Sequence, residues 1–245
     1  MTALRLHGFE TGCVRSKKRT HGPLRYLPGG WSDDTLPVQA FAIEHPDGLC
    51  LFDTGQTALA TASGYHQRWH PFLWTSRFEL EAADELATQL PARDLDPARV
   101  RWVVLSHLHT DHVGNVSAFA NAEVFVSRVE WDRARGARGH LRGYIPHRWP
   151  SGLVPRLVDF DGPAIGPFGG SHDLVGDGAL VLVPLPGHTP GHLGMRVRGD
   201  GIDALLAGDA AHDRGELARI APQVSAWCER ERIDVLMTHD AGALV

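Results

Sequence analysis

The decapeptide Ser106-His107-Leu108-His109-Thr110-Asp111-His112-Val113-Gly114-Asn115 sets three imidazoles and a carboxylate within six residues, directly after the apolar run Val103-Val104-Leu105. Neutral imidazole and carboxylate are the ligands that zinc and its first-row neighbours prefer. A strand running into the motif would set His107 and His109 on one side, because side chains at i and i+2 share a face. Asp111 keeps that parity and His112 breaks it, so the chain must turn there. Four donors this close together are more than one open catalytic ion takes, which calls for a second metal. The bland alternative is a cluster of surface histidines on a turn.

The pattern H-x-H-x-D-H resembles the signature of the metallo-β-lactamase superfamily, and the other motifs of that signature can be found in order. Phe52-Asp53-Thr54-Gly55 is similar to its first, structural motif. Downstream, Leu185-Pro186-Gly187-His188-Thr189-Pro190-Gly191-His192 is similar to its second histidine motif, Leu206-Ala207-Gly208-Asp209 to its bridging aspartate, and Thr238-His239-Asp240 to its last histidine. One such motif would be moderate support; the ordered set, spread over residues from about 37 to 240, is specific.

Length and composition fit that reading without requiring it. A chain of 245 residues is most simply one domain, 1–245, long enough to bury most of its unfolded surface. Hydrophobic residues make up 43% and charged residues 22%, ordinary for a globular protein. The formal net charge of -5 argues against a nucleic-acid surface, which needs a basic face. No apolar run approaches the length of a membrane span. Cys13, Cys50 and Cys228 show no metal or redox spacing, and their odd number fits a reducing compartment. Met1 to Phe9 lacks the apolar core of a signal peptide, so a cytoplasmic location is expected.

Around the motifs, hydrophobic periodicity predicts the scaffold. Ala3 to His7 reads as an edge strand and Arg15-Ser16-Lys17-Lys18-Arg19 as a solvated basic loop, or else a lip of the active site that attracts anions. Pro28 to Asp34 reads as a loop, then Pro37–Glu44 and Leu49–Asp53 as strands joined by a Pro-Asp-Gly turn. Gly64 to Phe78, with Tyr65, Trp69, Phe72, Trp74 and Phe78, reads equally as a pocket wall or as a small core under a long loop. Residues 79–90 carry an amphipathic helix stopped by Pro91, and 101–105 a strand into the metal motif. Further strands are expected at 122–126, 153–160, 171–175, 180–185, 192–198, 203–206 and 233–237. Helices are expected at 128–135 and at 216–231, the latter divided by Pro222. Gly136 to Gly152 has no period and reads as an insertion loop of the kind that often carries function. Pattern alone gives α/β or α+β.

The resemblance implies more. It implies an αββα sandwich, two mixed β-sheets flanked by helices. It implies that His107, His109 and His188 hold one metal, that Asp111, His112 and His239 hold a second, and that Asp209 bridges them. Asp53 would buttress the metal loop without touching metal, and His192 would orient the loop or be a plain buried histidine. Five of the fifteen histidines fall at these ligand positions. The implied cofactor is two divalent ions per chain, with zinc expected and manganese, iron or cobalt open. A hydroxide between two such cations would be the nucleophile, and Asp111 the candidate to hand a proton to the leaving group.

Within the superfamily, Asp209 rather than cysteine stands at the bridging place. The added domains or basic surfaces of the nuclease and glyoxalase II-like branches are not expected here. The segment Pro37 to Gly55 and the order of the later motifs are similar to the N-acyl-homoserine lactonases, which open the ring of quorum-sensing lactones. Two departures touch the substrate side. Those lactonases carry a tyrosine three residues after the bridging aspartate, where this chain has His212, and several carry an aromatic residue where it has Thr110. His212 is therefore the candidate substrate contact. The expected substrate is a small-molecule lactone or ester, with a homodimer left open. A promiscuous esterase or phosphotriesterase of the same branch is the alternative, and a non-catalytic metal-binding sensor the alternative from another class.

Overall fold

Two β-sheets lie face to face in the computed structural model, which describes residues 2–19, 28–66, 72–136, 139–199 and 201–242. The first sheet contains β1 (Arg5–Arg19), β2 (Pro28–His45), β3 (Gly48–Phe52), β4 (Ser76–Glu79), β5 (Val100–Val104), β6 (Glu123–Ser127) and β7 (Arg156–Val158), in the order β4-β1-β2-β3-β5-β6-β7. The second contains β8 (His172–Asp173), β9 (Leu180–Pro184), β10 (Leu193–Gly199), β11 (Ile202–Gly208) and β12 (Asp234–Met237), in the order β12-β11-β10-β9-β8. Both sheets are mixed: β3, β5, β6 and β7 run parallel, as do β11 and β12, and the other pairs are antiparallel.

Side-chain alternation decides which residues fill the space between the sheets. Phe41, Ile43, Cys50, Phe52, Trp102 and Val104 point from the first sheet toward Leu180, Leu182, Met195, Val197, Ala204, Leu206 and Leu236 of the second. Each leucine or phenylalanine fully buried there contributes roughly 1.5–3 kcal/mol. The residues one step out of phase face the other way. Ala40, Ala42, Leu49, Leu51 and Val103 pack with Leu86, Leu90, Trp131 and Ala134 under a helical layer. Val183, Leu205, Ala207, Val235 and Met237 pack with Leu217, Val224 and Trp227 under another. Strands buried on both faces read as continuous apolar runs, as residues 102–104 and 235–237 do. The result is a four-layer αββα sandwich.

The helices are α1 (Phe72–Thr75), α2 (Leu86–Gln89), α3 (Thr110–Val113), α4 (Arg128–Arg135), α5 (Arg214–Ile220) and α6 (Pro222–Glu231). Pro222 opens α6 at its first turn, where its missing N–H costs nothing, and so divides the C-terminal helix as expected.

Three elements differ from the sequence reading. Arg15 to Arg19 is the far end of β1 rather than a loop, and Pro28 to Asp34 lies in β2, paired with it. Lys17 lies over the Trp31 ring at 5.3 Å and Arg15 pairs with Glu79 at 2.7 Å, so polar residues hold this end of the ribbon where no core reaches it. The helix expected over 79–90 is instead a 3-10 turn at Ala82–Asp84, the single α turn α2, and a second 3-10 turn at Leu90–Arg93. Glu85 breaks it: its backbone is extended (φ -63, ψ 135) while its carboxylate accepts from Thr57 Oγ1, Ala58 N and Asn115 Nδ2. The strand expected at 153–160 is confined to Arg156–Val158. Of the aromatic segment, Tyr65 and Phe78 form a small core with Val14, Val38, Ala60 and Ile145, while Trp69 and His70 lie outside the described residues.

Candidate metal centre

Every sequence-derived ligand position sits on a loop, or on the one-turn helix α3, at the same end of the two sheets. Strand β5 runs out at Val104, and Ser106 to His109 continue from it into α3, which begins at Thr110. His188 lies in the turn between β9 and β10, Asp209 just past β11 and His239 just past β12. Two backbone hydrogen bonds tie the sheets together at this end: Leu193 N–H donates to Ser106 O (2.9 Å) and Gln39 N–H to Thr238 O (3.0 Å).

The side chains converge. His109 Nδ1 is 3.0 Å from both His107 Nε2 and His188 Nε2. The Asp209 carboxylate lies 3.9 Å from His107 Nε2, 3.3 Å from His112 Nε2, 3.5 Å from His188 Nε2 and 3.4 Å from His239 Nε2. Asp111 approaches His112 Nε2 and His239 Nε2 at 3.9 and 3.8 Å. Three overlapping groups of donor atoms, each within 4.8 Å of one another, result: His107, His109 and His188; His107, His112 and Asp209; Asp111, His112 and His239. All seven residues are therefore brought together, and His212 lines the same cavity of about 250 Å³, with Val14, Leu36 and Ile145 as its apolar wall.

The far nitrogens of four of these rings have partners outside the cluster, which turns their other nitrogens inward. Asp53 Oδ2 accepts from His112 Nδ1 (2.8 Å), Arg142 O from His109 Nε2 (2.8 Å) and Pro37 O from His239 Nδ1 (2.6 Å). His107 Nδ1 lies 3.1 Å from Ser106 Oγ. Outer partners of this kind fix which nitrogen can bind metal and where it points. Asp53 is buried with φ 60, a left-handed backbone that aspartate tolerates better than most residues. From there it also accepts from Ser106 N and Ser106 Oγ, both at 2.7 Å. His192 lies behind Asp209: its Nδ1 donates to Leu185 O (3.1 Å) and its Nε2 accepts from Asp209 N–H (3.1 Å). Gly208 is what lets these groups meet. At φ +52, a Cβ there would sit 2.7 Å from His192 Nε2 and 2.9 Å from Ser106 Cβ.

Electrostatics divide the histidines into two classes. Burial holds His107 well below the usual imidazole range and brings His188 down to about 4, and it lowers His109 as well. These three are neutral, the form that donates to metal. Burial also opposes charge on His112 and His239, but there the carboxylates win. Asp209, Asp53 and Asp111 raise His112 well above the usual range, and Asp209 and Asp111 raise His239 to about 9. Asp209 is in turn held well below the carboxylate range: burial opposes its charge, and His239 and His112 outweigh it. Protons thus gather around Asp209 where cations would. The site fits a pair of cations on its own terms, since the buried atoms His112 Nε2 and Asp209 Oδ1 face each other at 3.3 Å without hydrogen-bond geometry and the donor set is imidazole nitrogen and carboxylate oxygen.

The superfamily model described as the metallo-beta-lactamase superfamily matches residues 33–230. The chain belongs to this superfamily. Among its relatives, it is 32% identical over 219 residues to the N-acyl homoserine lactonase AttM of Rhizobium radiobacter, covering 86% of this chain and 78% of that protein. Its fold is similar to that of an N-acyl homoserine lactone hydrolase solved with the product N-hexanoyl-L-homoserine at its catalytic metal centre. That match has a TM-score of 0.75 at 20% identity, over 98% of this chain and 95% of the other. It is also similar to AidC, a dizinc quorum-quenching lactonase, at a TM-score of 0.61 and 14% identity, over 99% and 90% of the two chains.

Two supports of this superfamily centre escaped the sequence reading. Arg142 O belongs to the segment read as an insertion loop, and Tyr144 from the same segment packs its ring 5.2 Å from that of His109. Neither a backbone carbonyl nor one aromatic residue in an aperiodic stretch leaves a readable signal. The other is Glu130, in a helix whose charged composition reads as a solvated face. Ser127-x-x-Glu130 has the spacing of a capping box, the one hint that its carboxylate is committed.

Proposed function

We propose that the protein is a dinuclear metal-dependent lactonase that opens N-acyl-homoserine lactone rings. The observation that carries the reading is the Asp209 carboxylate, within 4 Å of four imidazole nitrogens drawn from three loops at the base of one cavity. His107, His109 and His188 would hold one cation, Asp111, His112 and His239 the other, with Asp209 shared. Divalent cations held there, zinc before manganese, iron or cobalt, supply Lewis acidity for an ester carbonyl and for a water nucleophile.

The chain's own residues do the rest. Asp53, Arg142 O and Pro37 O hold the imidazoles of His112, His109 and His239 in their ligating tautomers. Asp111 lines the cavity and can carry a proton from the attacking water to the ring oxygen as the acyl carbon–oxygen bond breaks. His212, which lines the same cavity, would contact the substrate carbonyl. Its ring is stacked on His239 with centroids 6.0 Å apart, and its Nδ1 bonds Glu216 Oε2 at 2.7 Å. Val14, Leu36 and Ile145 offer apolar surface to an acyl chain. The free thiols Cys13, Cys50 and Cys228 support a reducing, cytoplasmic setting.

The test is a hydrolysis panel of N-acyl-homoserine lactones, simple esters, thioesters and phosphotriesters, with metal content measured on the same samples. About two metals per chain and lactone turnover abolished by chelation are expected. Turnover confined to phosphotriesters or simple esters would move the protein to the promiscuous hydrolases, and metal without turnover would make it a sensor.

A further inference from the structure

Glu130 is fully buried in the first turn of α4, between the two histidine loops. Its Oε1 accepts from the N–H of Leu108, the residue between His107 and His109, at 3.1 Å. Its Oε2 accepts from Thr189 Oγ1, the neighbour of His188, at 2.8 Å. The hydroxyl of Tyr144, whose ring packs on His109, lies against the same carboxylate and against Thr189. The adjoining contacts are as close. Ser127 Oγ donates to Gly191 O at 2.6 Å, and any side chain at Gly191 would collide with the backbone of Glu130. The loop from His188 to His192 is thus pressed onto the start of α4.

Helix capping does not account for this carboxylate. Ser127 caps the helix by accepting Glu130 N–H at 3.1 Å, yet the Glu130 side chain turns away from Ser127 to the two loops. Nor does packing, since a buried carboxylate costs more than an apolar side chain of the same size. What the two oxygens do is fix a distance. One loop hangs on Oε1 and the other on Oε2, and of the atoms they deliver, His109 Nδ1 lies 3.0 Å from both His107 Nε2 and His188 Nε2, with all three within 4.8 Å of one another.

We propose that Glu130 is the positioning residue that sets the spacing between the His107–His109 loop and the His188 loop, and through it the metal tripod His107–His109–His188. The proposal rests on the metal reading of the site given above. Glutamine keeps the shape and one acceptor. With its oxygen on Leu108 N–H, its amide meets a Thr189 hydroxyl that must turn round to accept. Glu130→Gln therefore keeps one loop as the wild type does and exchanges the charged bond to the other for a weaker neutral one. Thr189→Val removes only the arm to His188.

Metal content and stepwise metal affinity, measured by competition with a chelator on full-length wild type, E130Q, T189V and the double variant, test it. Wild type takes up two ions. E130Q, with an unchanged circular-dichroism spectrum, loses roughly 10–100-fold in affinity for one ion and keeps the other, the size typical of an outer partner of metal-bound histidine. T189V weakens the same ion by less, and the double variant binds no worse than E130Q. In the lactonase assay kcat falls and KM stays. If E130Q and T189V load both ions at wild-type affinity, or weaken both ions equally, the proposal is overturned. Should E130Q fail to fold, T189V decides alone: wild-type affinity at both ions overturns the proposal, selective loss of one supports it. A wild type that binds no metal refutes the metal reading itself, and the proposal falls with it.

Discussion

Asp53→Asn isolates one negative charge at the centre of the metal loop. The carboxylate is buried and accepts three hydrogen bonds, from Ser106 N, Ser106 Oγ and His112 Nδ1. Asparagine keeps the shape and tolerates the left-handed backbone at φ 60, so neither packing nor strain confuses the comparison. With the amide oxygen kept on Ser106 N, the amide nitrogen replaces Oδ2 and faces two donors. The Ser106 hydroxyl can rotate and accept. His112, charged in the metal-free protein, can adapt only by giving up its Nδ1 proton and keeping the one on Nε2, the atom that lies 3.3 Å from Asp209. A hydrogen bond to a charged group contributes about 1.5–3 kcal/mol, and the donor it abandons costs about 1–3 kcal/mol if left unpaired. Two readouts follow. Metal-free D53N is expected to unfold with about 2–4 kcal/mol less stability in urea. Its affinity for the ion assigned to His112 is expected to drop roughly 10–100-fold in a chelator competition. A variant with the wild-type denaturation midpoint and wild-type loading of both ions would refute the argument that Asp53 holds His112 in its ligating tautomer.

Asp209→Ala is expected to lose retention of both metals and all turnover; two ions and the wild-type rate in that variant would remove Asp209 from the bridging place. His212→Ala is expected to lower kcat roughly 100-fold with metal content unchanged, the value of one well-placed donor to a developing oxyanion. His212→Tyr is expected to retain or raise lactone turnover, and wild-type rates in both variants would make His212 a bystander. Gly208→Ala is expected to destabilise the fold by about 1–3 kcal/mol, because its Cβ would press on His192 and Ser106 at a left-handed φ. An unchanged denaturation midpoint would refute that.

What could be read from the residues follows from where signal resides. The ligand positions are side chains of rare types at fixed offsets from strand ends, so His107, His109, Asp111, His112, His188, Asp209 and His239 stand out before any fold is known. Buried strands such as Val100–Val104 are equally plain. The β1–β2 ribbon is not, because its outer half has water on both faces and Arg15-Ser16-Lys17 carries no alternation of hydrophobicity. The broken helix near Glu85 fails for the opposite reason: its periodicity is genuine, but three distant partners, Thr57, Ala58 and Asn115, capture the side chain and straighten the backbone. Tertiary contacts of this kind override local propensity. Glu130 and Arg142 O were hidden because their work depends on what folds against them.

The hydrogen bonds Leu193 N to Ser106 O and Gln39 N to Thr238 O mark the seam where the two sheets meet beside the site. The ligand positions straddle that seam, with His107, His109, Asp111 and His112 following a strand of one sheet and His188, Asp209 and His239 following strands of the other. A cation shared across it would act as a rivet between halves that apolar packing, these two hydrogen bonds and the Glu130 carboxylate already join. Folding and loading would then be one linked equilibrium, in which free metal at a hundred times its dissociation constant adds about 2.7 kcal/mol to the folded state. Metal supply would thereby govern how tightly the two faces of the sandwich are clamped, and stripping the ions would loosen the scaffold as well as silence the proposed chemistry.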